Sequence, residues 1–289
     1  MSSVVEAQGR FRMTDGFDLF YRNWRSTGEI QKAVLALHGI EAHSGALGFV
    51  ANELAMDGSD VYAIDRRGLA NSKEVDRPRG DTRDFGRHLE DVDETVGLIR
   101  RIHPGKKFFM FGHSIGCGYT LRYADFHPEL VNGIILAAPP VETVKLPVAD
   151  RLGLLFRPRT MYDLLERFPA AVRQSEEFRI LTQDPLCTKN FSGRFLIKTQ
   201  TTLFTKMIKH ASKTRTPTLI LHGEADILAL PNGARRLFES LAAGDKSIRT
   251  FPGADHWFYQ SIIPTRTSKY GDEQRRQVSR PIVEWLRAR

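Results

Sequence analysis

The sequence predicts an α/β fold: a mostly parallel central sheet flanked by helices, with a helical lid inserted in its second half. Two observations carry this. Short apolar runs bounded by Gly, Pro or Asp alternate with longer segments at helical spacing, which is the pattern of strands joined by helical crossovers. That alternation lapses between residues 139 and 216 and then resumes. A length of 289 residues fits one large domain or two small ones, and 41% hydrophobic with 26% charged residues is ordinary globular composition.

The elements follow in order. Arg10–Met13 and Leu19–Trp24 flank the Asp15-Gly16 turn and form an antiparallel hairpin at a sheet edge. Ala33–Leu37, Asp60–Ile64, Lys107–Phe111, Gly133–Ala137, Thr218–Leu221 and Ser247–Phe251 read as buried strands. Between them, Leu47, Val50, Ala51 and Leu54 recur at helical spacing before Gly58, which can supply a left-handed stop. A second helix carries Phe85, Leu89, Val92, Val96 and Ile99 and closes near Pro104-Gly105. Residues 139–216 lack a clear strand and are helical in pattern, so they read as the lid, with 1–138 and 217–289 as the core.

The formal charge of +8 and a pI near 9.6 make the surface attractive to anions. No helix-turn-helix, RNP-like or zinc pattern accompanies that charge, so nucleic acid is not an expected partner. Cys117 and Cys187 are too few for a disulfide framework. Glu6, Gln8, Arg10 and Arg12 interrupt the N-terminal apolar residues, and no apolar run approaches the roughly 18 residues of a membrane span. The expectation is a cytoplasmic protein, peripheral to membranes at most, whose oligomeric state is left open.

The strongest local signal is Gly112-His113-Ser114-Ile115-Gly116, a G-x-S-x-G directly after one predicted strand and directly before apolar-periodic residues. A tight strand-to-helix turn leaves no room for side chains beside the serine and lifts its Oγ into the open, with the positive end of the next helix aimed at it. A serine hydroxyl needs a histidine base, and that base needs an acid to hold its tautomer. Of the later histidines, His256 sits in a loop just after the last strand, where it would share an edge with Ser114; His127 closes a helix and His210 lies in the lid. Asp226 follows the strand Thr218–Leu221 and stands 30 residues before His256, about one helix and one strand. Glu224 and Asp255 compete with it, and Glu142 or Asp150 would serve if the acid followed Gly133–Ala137. Two backbone N–H groups would receive an oxyanion: Ile115, after the nucleophile, and Ile40, in the loop after Ala33–Leu37. His38 and His43 in that loop read as structural, and Cys117 as a small buried hydrophobe. Such a site needs no metal and no organic cofactor.

The lid carries a charge asymmetry. Arg194, Lys198, Lys206, Lys209 and Lys213 gather on one side of a helix turned at about 100° per residue, and Leu196, Leu203, Phe204, Met207 and Ile208 on the other. The plain expectation is an apolar face roofing the pocket, with Leu203, Phe204 and Met207 meeting substrate, and lysines that are solvated. A sharper one has the basic face meeting anionic lipid surfaces.

Together these residues resemble the α/β-hydrolase superfamily, and within it the monoacylglycerol lipase and lysophospholipase branch. His38-Gly39 with His43-Ser44-Gly45 is similar to that branch's H-G-x-x-E-H-S-G, Asp65-Arg66-Arg67-Gly68 with Ser72 to its D-x-x-G-x-G-x-S, and Asp184-Pro185-Leu186 to the D-P-L of its cap. Two positions depart: Ala42 stands where the branch has Glu, with Glu41 one place earlier, and Ala70 replaces a glycine. The resemblance implies Ser114, Asp226 and His256 as a catalytic triad, Ile40 and Ile115 as oxyanion donors, and a serine esterase acting on lipid-like esters through an acyl-enzyme. Acyl transfer to another acceptor, a peptidase or lactonase using the same triad, or a binding protein that retains the fold are the alternatives; Ser114 at the elbow disfavours relatives that use aspartate there.

Overall fold

The structure, a computed structural model, describes residues 3–143, 153–258 and 272–289. Its strands are β1 (Val4–Arg12), β2 (Asp18–Ser26), β3 (Lys32–Leu37), β4 (Ser59–Ile64), β5 (Lys107–His113), β6 (Gly133–Ala137), β7 (Met161–Asp163), β8 (Asn190–Ser192), β9 (Thr218–Gly223) and β10 (Lys246–Phe251). Eight of them make one sheet in the order β1-β2-β4-β3-β5-β6-β9-β10, while β7 and β8 pair separately. β2 runs antiparallel to β1 and β4, and the rest of the sheet is parallel. The N-terminal hairpin therefore sits at the edge, as its turn predicts, with Gly16 at φ +84°.

Every residue of β3, β4, β6 and β9 is buried, as expected for parallel strands covered on both faces. Alternate residues feed two cores. On one face Leu35, Ile64, Met110, Ile134 and Ile220 pack beneath α2 (Phe85–Ile102) and α3 (Ile115–Phe126). On the other, Val34, Val61, Phe109, Ile135 and Leu219 pack against α1 (Gly48–Met56) and a C-terminal helix over Asp272–Arg287. Asp84 caps α2 by accepting from the Gly86 N–H at 2.7 Å, and Arg100 and Arg101 fall in its last turn, where the helix dipole favours cations. Gly58 provides the left-handed residue after α1, at φ +81°.

Three expectations need correction. Ser247–Phe251 is not buried: β10 is half-exposed, because an edge strand is covered by one neighbour only. The segment between β6 and β9 does hold strands, the short antiparallel β7 and β8, alongside α4 (Glu176–Gln183), α5 (Gly193–Thr202) and α6 (Met207–Ala211). The single amphipathic helix read over residues 194–213 is broken near Leu203 into α5, a 3-10 turn and α6, where a run of threonines opposes continuous helix. Leu203 and Met207 are buried in the core beside α3, and Phe204 packs partly buried against it. Two further helices are α7 (Pro231–Ser240) and α8 (Asp272–Arg287). Among the described residues no helix is long and apolar enough to cross a membrane.

The parallel register places the C-terminal ends of β3, β5, β6, β9 and β10 along one edge: Leu37 lies beside Gly112, His113 beside Ala137, Ala137 beside Leu221, and Gly223 beside Phe251. The loops that carry Ile40, Ser114, Asp226 and His256 all leave from that edge.

Candidate active site

Ser114 stands between β5 and α3 with φ +51°, a left-handed conformation rare outside glycine. Its N–H donates to the Ala137 carbonyl at 2.9 Å, and its carbonyl accepts from the Cys117 N–H at 2.9 Å. The flanking glycines have steric reasons. A Cβ on Gly116 would stand 2.2 Å from the Leu37 carbonyl oxygen, and one on Gly112 would stand 2.5 Å from the Gly116 carbonyl oxygen. Neither contact is tolerable without moving a strand or the helix. The elbow therefore presses α3 against β3 and β5 and holds the serine at the sheet edge.

Asp226 and His256 meet there. His256 Nδ1 donates to Asp226 Oδ2 at 2.7 Å, and both side chains are buried. The other carboxylate oxygen, Oδ1, accepts from the N–H groups of Leu228 at 2.8 Å and Ala229 at 2.9 Å. With its oxygens so occupied the carboxylate is fixed in direction, and it holds the proton of the neutral imidazole on Nδ1, leaving Nε2 as the basic atom. Burial pushes the His256 pKa down, but the charge and hydrogen bond of Asp226, helped by Glu41 and Asp255, outweigh it and bring the pKa above its ordinary value. His222 stays apart from this pairing. Its Nε2 donates to the Ala229 carbonyl at 2.9 Å and lies 3.8 Å from Asp226, and burial holds it below the ordinary histidine range.

The loop after β3 is held from several sides. His38 is fully buried; its Nε2 accepts from the Arg66 N–H at 3.2 Å and its Nδ1 donates to the Gly39 carbonyl at 2.7 Å. His43 Nδ1 accepts from the Gly45 N–H at 3.1 Å while its Nε2 donates to Asp184 at 2.9 Å, so the aspartate of the D-P-L stretch ties the segment between β6 and β9 to this loop. Asp65 accepts from the N–H groups of Ser44 at 2.7 Å and Asn71 at 3.0 Å. Glu41 is buried; its carboxylate accepts from Trp257 Nε1 at 3.0 Å and its carbonyl from the Thr188 N–H at 2.9 Å. The N–H groups of Ile40 and Ile115 make no hydrogen bond to another described residue.

Of the competing acids, Glu142 pairs with Arg236, Glu224 accepts from Thr250 at 2.7 Å, and Asp255 accepts from the Trp257 N–H at 2.9 Å. Asp150 lies outside the described residues. Cys117 is buried between the carbonyls of Gly112 and Ala137, and burial pushes its thiol well up, so it is not a thiolate. Among the described residues no group of three or more His, Cys, Asp or Glu side chains gathers to hold a metal ion. Sequence reasoning met Arg66 only as a variable position of the D-x-x-G-x-G-x-S turn, yet Arg66 is 2% exposed beneath the Gly39 carbonyl. Glu41 stood out only as a displaced motif residue, and nothing in the sequence shows its bond to Trp257.

Comparison with known proteins places the chain among hydrolases. A family model described as serine aminopeptidase, S33, matches residues 28–260. The monoacylglycerol lipase of Mycolicibacterium smegmatis is 27% identical over 89% of this chain and 92% of its own length. Human monoglyceride lipase is 28% identical over 89% of this chain and 85% of its own. Among solved structures, Paleococcus ferrophilus monoacylglycerol lipase superposes with a TM-score of 0.71 at 25% identity, covering 98% of both chains.

The pairing of His256 with Asp226 has a pH signature. A histidine whose pKa is raised by folding contributes stability that is complete below its unfolded pKa and is lost as pH rises through the folded one. Imidazole NMR titration should place His256 above an unstructured histidine, and Asp226→Asn should bring it below the wild-type value. A His256 titration unchanged by Asp226→Asn would dissociate the two residues.

Proposed function

This chain belongs to the serine aminopeptidase S33 family of hydrolases, and we propose that it cleaves carboxylic esters of lipid-like acyl groups, monoacylglycerols foremost, through an acyl-enzyme on Ser114. The observation that carries the reading is the buried 2.7 Å bond between His256 Nδ1 and Asp226 at the same sheet edge as the elbow serine. In it, His256 Nε2 takes the Ser114 proton while Oγ attacks the ester carbonyl. The tetrahedral oxyanion is received by the N–H groups of Ile40 and Ile115, both without a partner among the described residues. Collapse breaks the C–O bond to the alcohol, which leaves with the proton that His256 returns. Water then repeats the sequence on the acyl-serine and frees the fatty acid. Residues 139–216 would act as a cap over this edge, their Asp184 fastening the oxyanion loop through His43. The unpaired, buried Cys117 and Cys187 accord with a reducing, cytosolic setting.

A fluorophosphonate probe should label the wild-type chain and not Ser114→Ala. Ser114→Ala and His256→Ala should each lower kcat by roughly four to six orders of magnitude, with little further loss when combined, because triad members act as a unit. Asp226→Asn should cost about 10⁴-fold through the wrong imidazole tautomer. Kinetics on monoacylglycerols beside aryl amides test the ester preference. Full labelling of Ser114→Ala, or turnover confined to amides, would overturn the reading.

A contact with anionic membrane surfaces is the second part of the proposal. Arg194 is withdrawn from the basic face, for it pairs with Asp81 at 2.7 Å. Lys206, Lys209 and Lys213 remain exposed and join Arg122 and the exposed Phe126 around a shallow pocket of about 320 Å³. Each cation near such a surface adds about 1 kcal/mol. The protein should sediment with anionic vesicles at low salt, less at high salt, and less again with Lys206, Lys209 and Lys213 changed to Gln. Equal sedimentation with neutral and anionic vesicles would leave the lysines merely solvated.

A further inference from the structure

The Gly39–Ile40 peptide carries two functions on one rigid unit. Its N–H end is the donor to the oxyanion in the reading above, on which this inference rests. Its carbonyl end is gripped from below by two donors, Arg66 Nη2 at 2.7 Å and His38 Nδ1 at 2.7 Å. A peptide is planar, so fixing the direction of its C=O fixes the direction of its N–H. Polarising the oxygen also strengthens the opposite end as a donor, because hydrogen bonds in a chain reinforce one another where the dielectric is low.

Arg66 is an unusual choice for a purely structural grip. It is 2% exposed, and among the described residues no carboxylate lies within ion-pair distance of it. Among the described residues its Nε and Nη1 lie within hydrogen-bonding geometry of no partner, and its guanidinium rests 5.2 Å from the centroid of the Tyr119 ring, whose hydroxyl favours its charge. Burial lowers the Arg66 pKa, opposed first by the Tyr119 hydroxyl and then, through space, by the Glu41 and Asp65 carboxylates. Arg67, next in the chain, does the opposite: it binds Asp91 at 2.8 Å and Asp15 at 3.0 Å. A buried charge without a contacting counter-charge is costly and persists only where its surroundings over-determine it. On the reading above, the peptide it holds is the one whose N–H receives the developing negative charge. His38, the other donor, is kept neutral by burial and by Arg66 itself, so the cation on this carbonyl is Arg66 alone.

We propose that Arg66 is a positioning residue for the hydrolysis: by clamping and polarising the Gly39 carbonyl it aims and strengthens the Ile40 N–H toward the transition-state oxyanion. The residue touches no substrate atom in this account and acts through the peptide alone. Its loss therefore falls on the transition state and spares the binding of ground-state ester.

The test uses the full chain and three variants, Arg66→Gln, Arg66→Lys and Ser114→Ala, with aryl esters as substrate and an alkyl trifluoromethyl ketone as a tetrahedral-adduct inhibitor. Arg66→Gln should lower kcat by about 10- to 100-fold, the scale of a small misplacement of a catalytic group. Its KM should stay within about twofold of wild type, and its affinity for the ketone should weaken in step with kcat/KM. Arg66→Lys keeps the charge and loses the planar fork, so it should fall between the two. Thermal melts identify folded variants. If Arg66→Gln fails to fold, Arg66→Lys decides by the same comparison. A folded variant with wild-type kcat and ketone affinity, or with a loss confined to KM, would overturn the proposal. Wild-type protein without ester turnover, or Ser114→Ala with undiminished turnover, would instead defeat the hydrolase reading on which it rests.

Discussion

Gly116 approaches the end of β3 so closely that a single added carbon would stand 2.2 Å from the Leu37 carbonyl oxygen, and the geometry of the whole sheet edge follows from that approach. It lets α3 begin directly above the strands and forces the turn before it to be abrupt. Ser114 absorbs the turn by taking φ +51°, at a cost of order 1–3 kcal/mol that the packed surroundings must offset. Those surroundings are the two buried faces of a parallel sheet, so the strain is met by the most rigid part of the molecule. Ala138, at the end of the neighbouring strand, also takes a left-handed conformation, with φ +50°. Ala70 does so in the turn that carries Asp65, at φ +44°, where the resembling motif has glycine. Strained residues thus collect around the site.

The loops that meet at this edge are linked to one another as well as to the sheet. Glu41 joins the loop after β3 to the loop after β10 through Trp257, the residue beside His256. Thr188 and Asp184 join the segment between β6 and β9 to the same loop, through the Glu41 carbonyl and His43. A displacement of that segment would therefore be felt at Ile40 and at His256 together. Such coupling links the backbone around Ile40 to that around His256.

Much of this was legible in the sequence where the cause is local. The elbow could be read because its steric requirement is written in five adjacent residues, and the buried strands because parallel strands are apolar throughout. Tertiary causes were not legible. Asp226 and Glu142 both follow strands of the same sheet, and only the folded register shows His256 bonded to one while Arg236 takes the other. The last helix was missed, although Val278, Ile282, Trp285 and Leu286 recur at helical spacing, because Pro281 and many arginines interrupt it. Ser247–Phe251 looked buried since a strand's apolar content does not reveal whether it has one neighbour or two. Arg66 was hidden for a plainer reason: arginine is rarely buried without a partner.

The central claim is that the strained serine at the end of β5 becomes acylated during turnover. Mixing the protein with excess long-chain aryl ester, quenching in acid within the first turnovers and measuring intact mass tests it most directly. The account predicts a population heavier by one acyl group, with the modification mapped by peptide fragmentation to Ser114 and no other residue. Turnover that proceeds with an acyl group on a different side chain would contradict it.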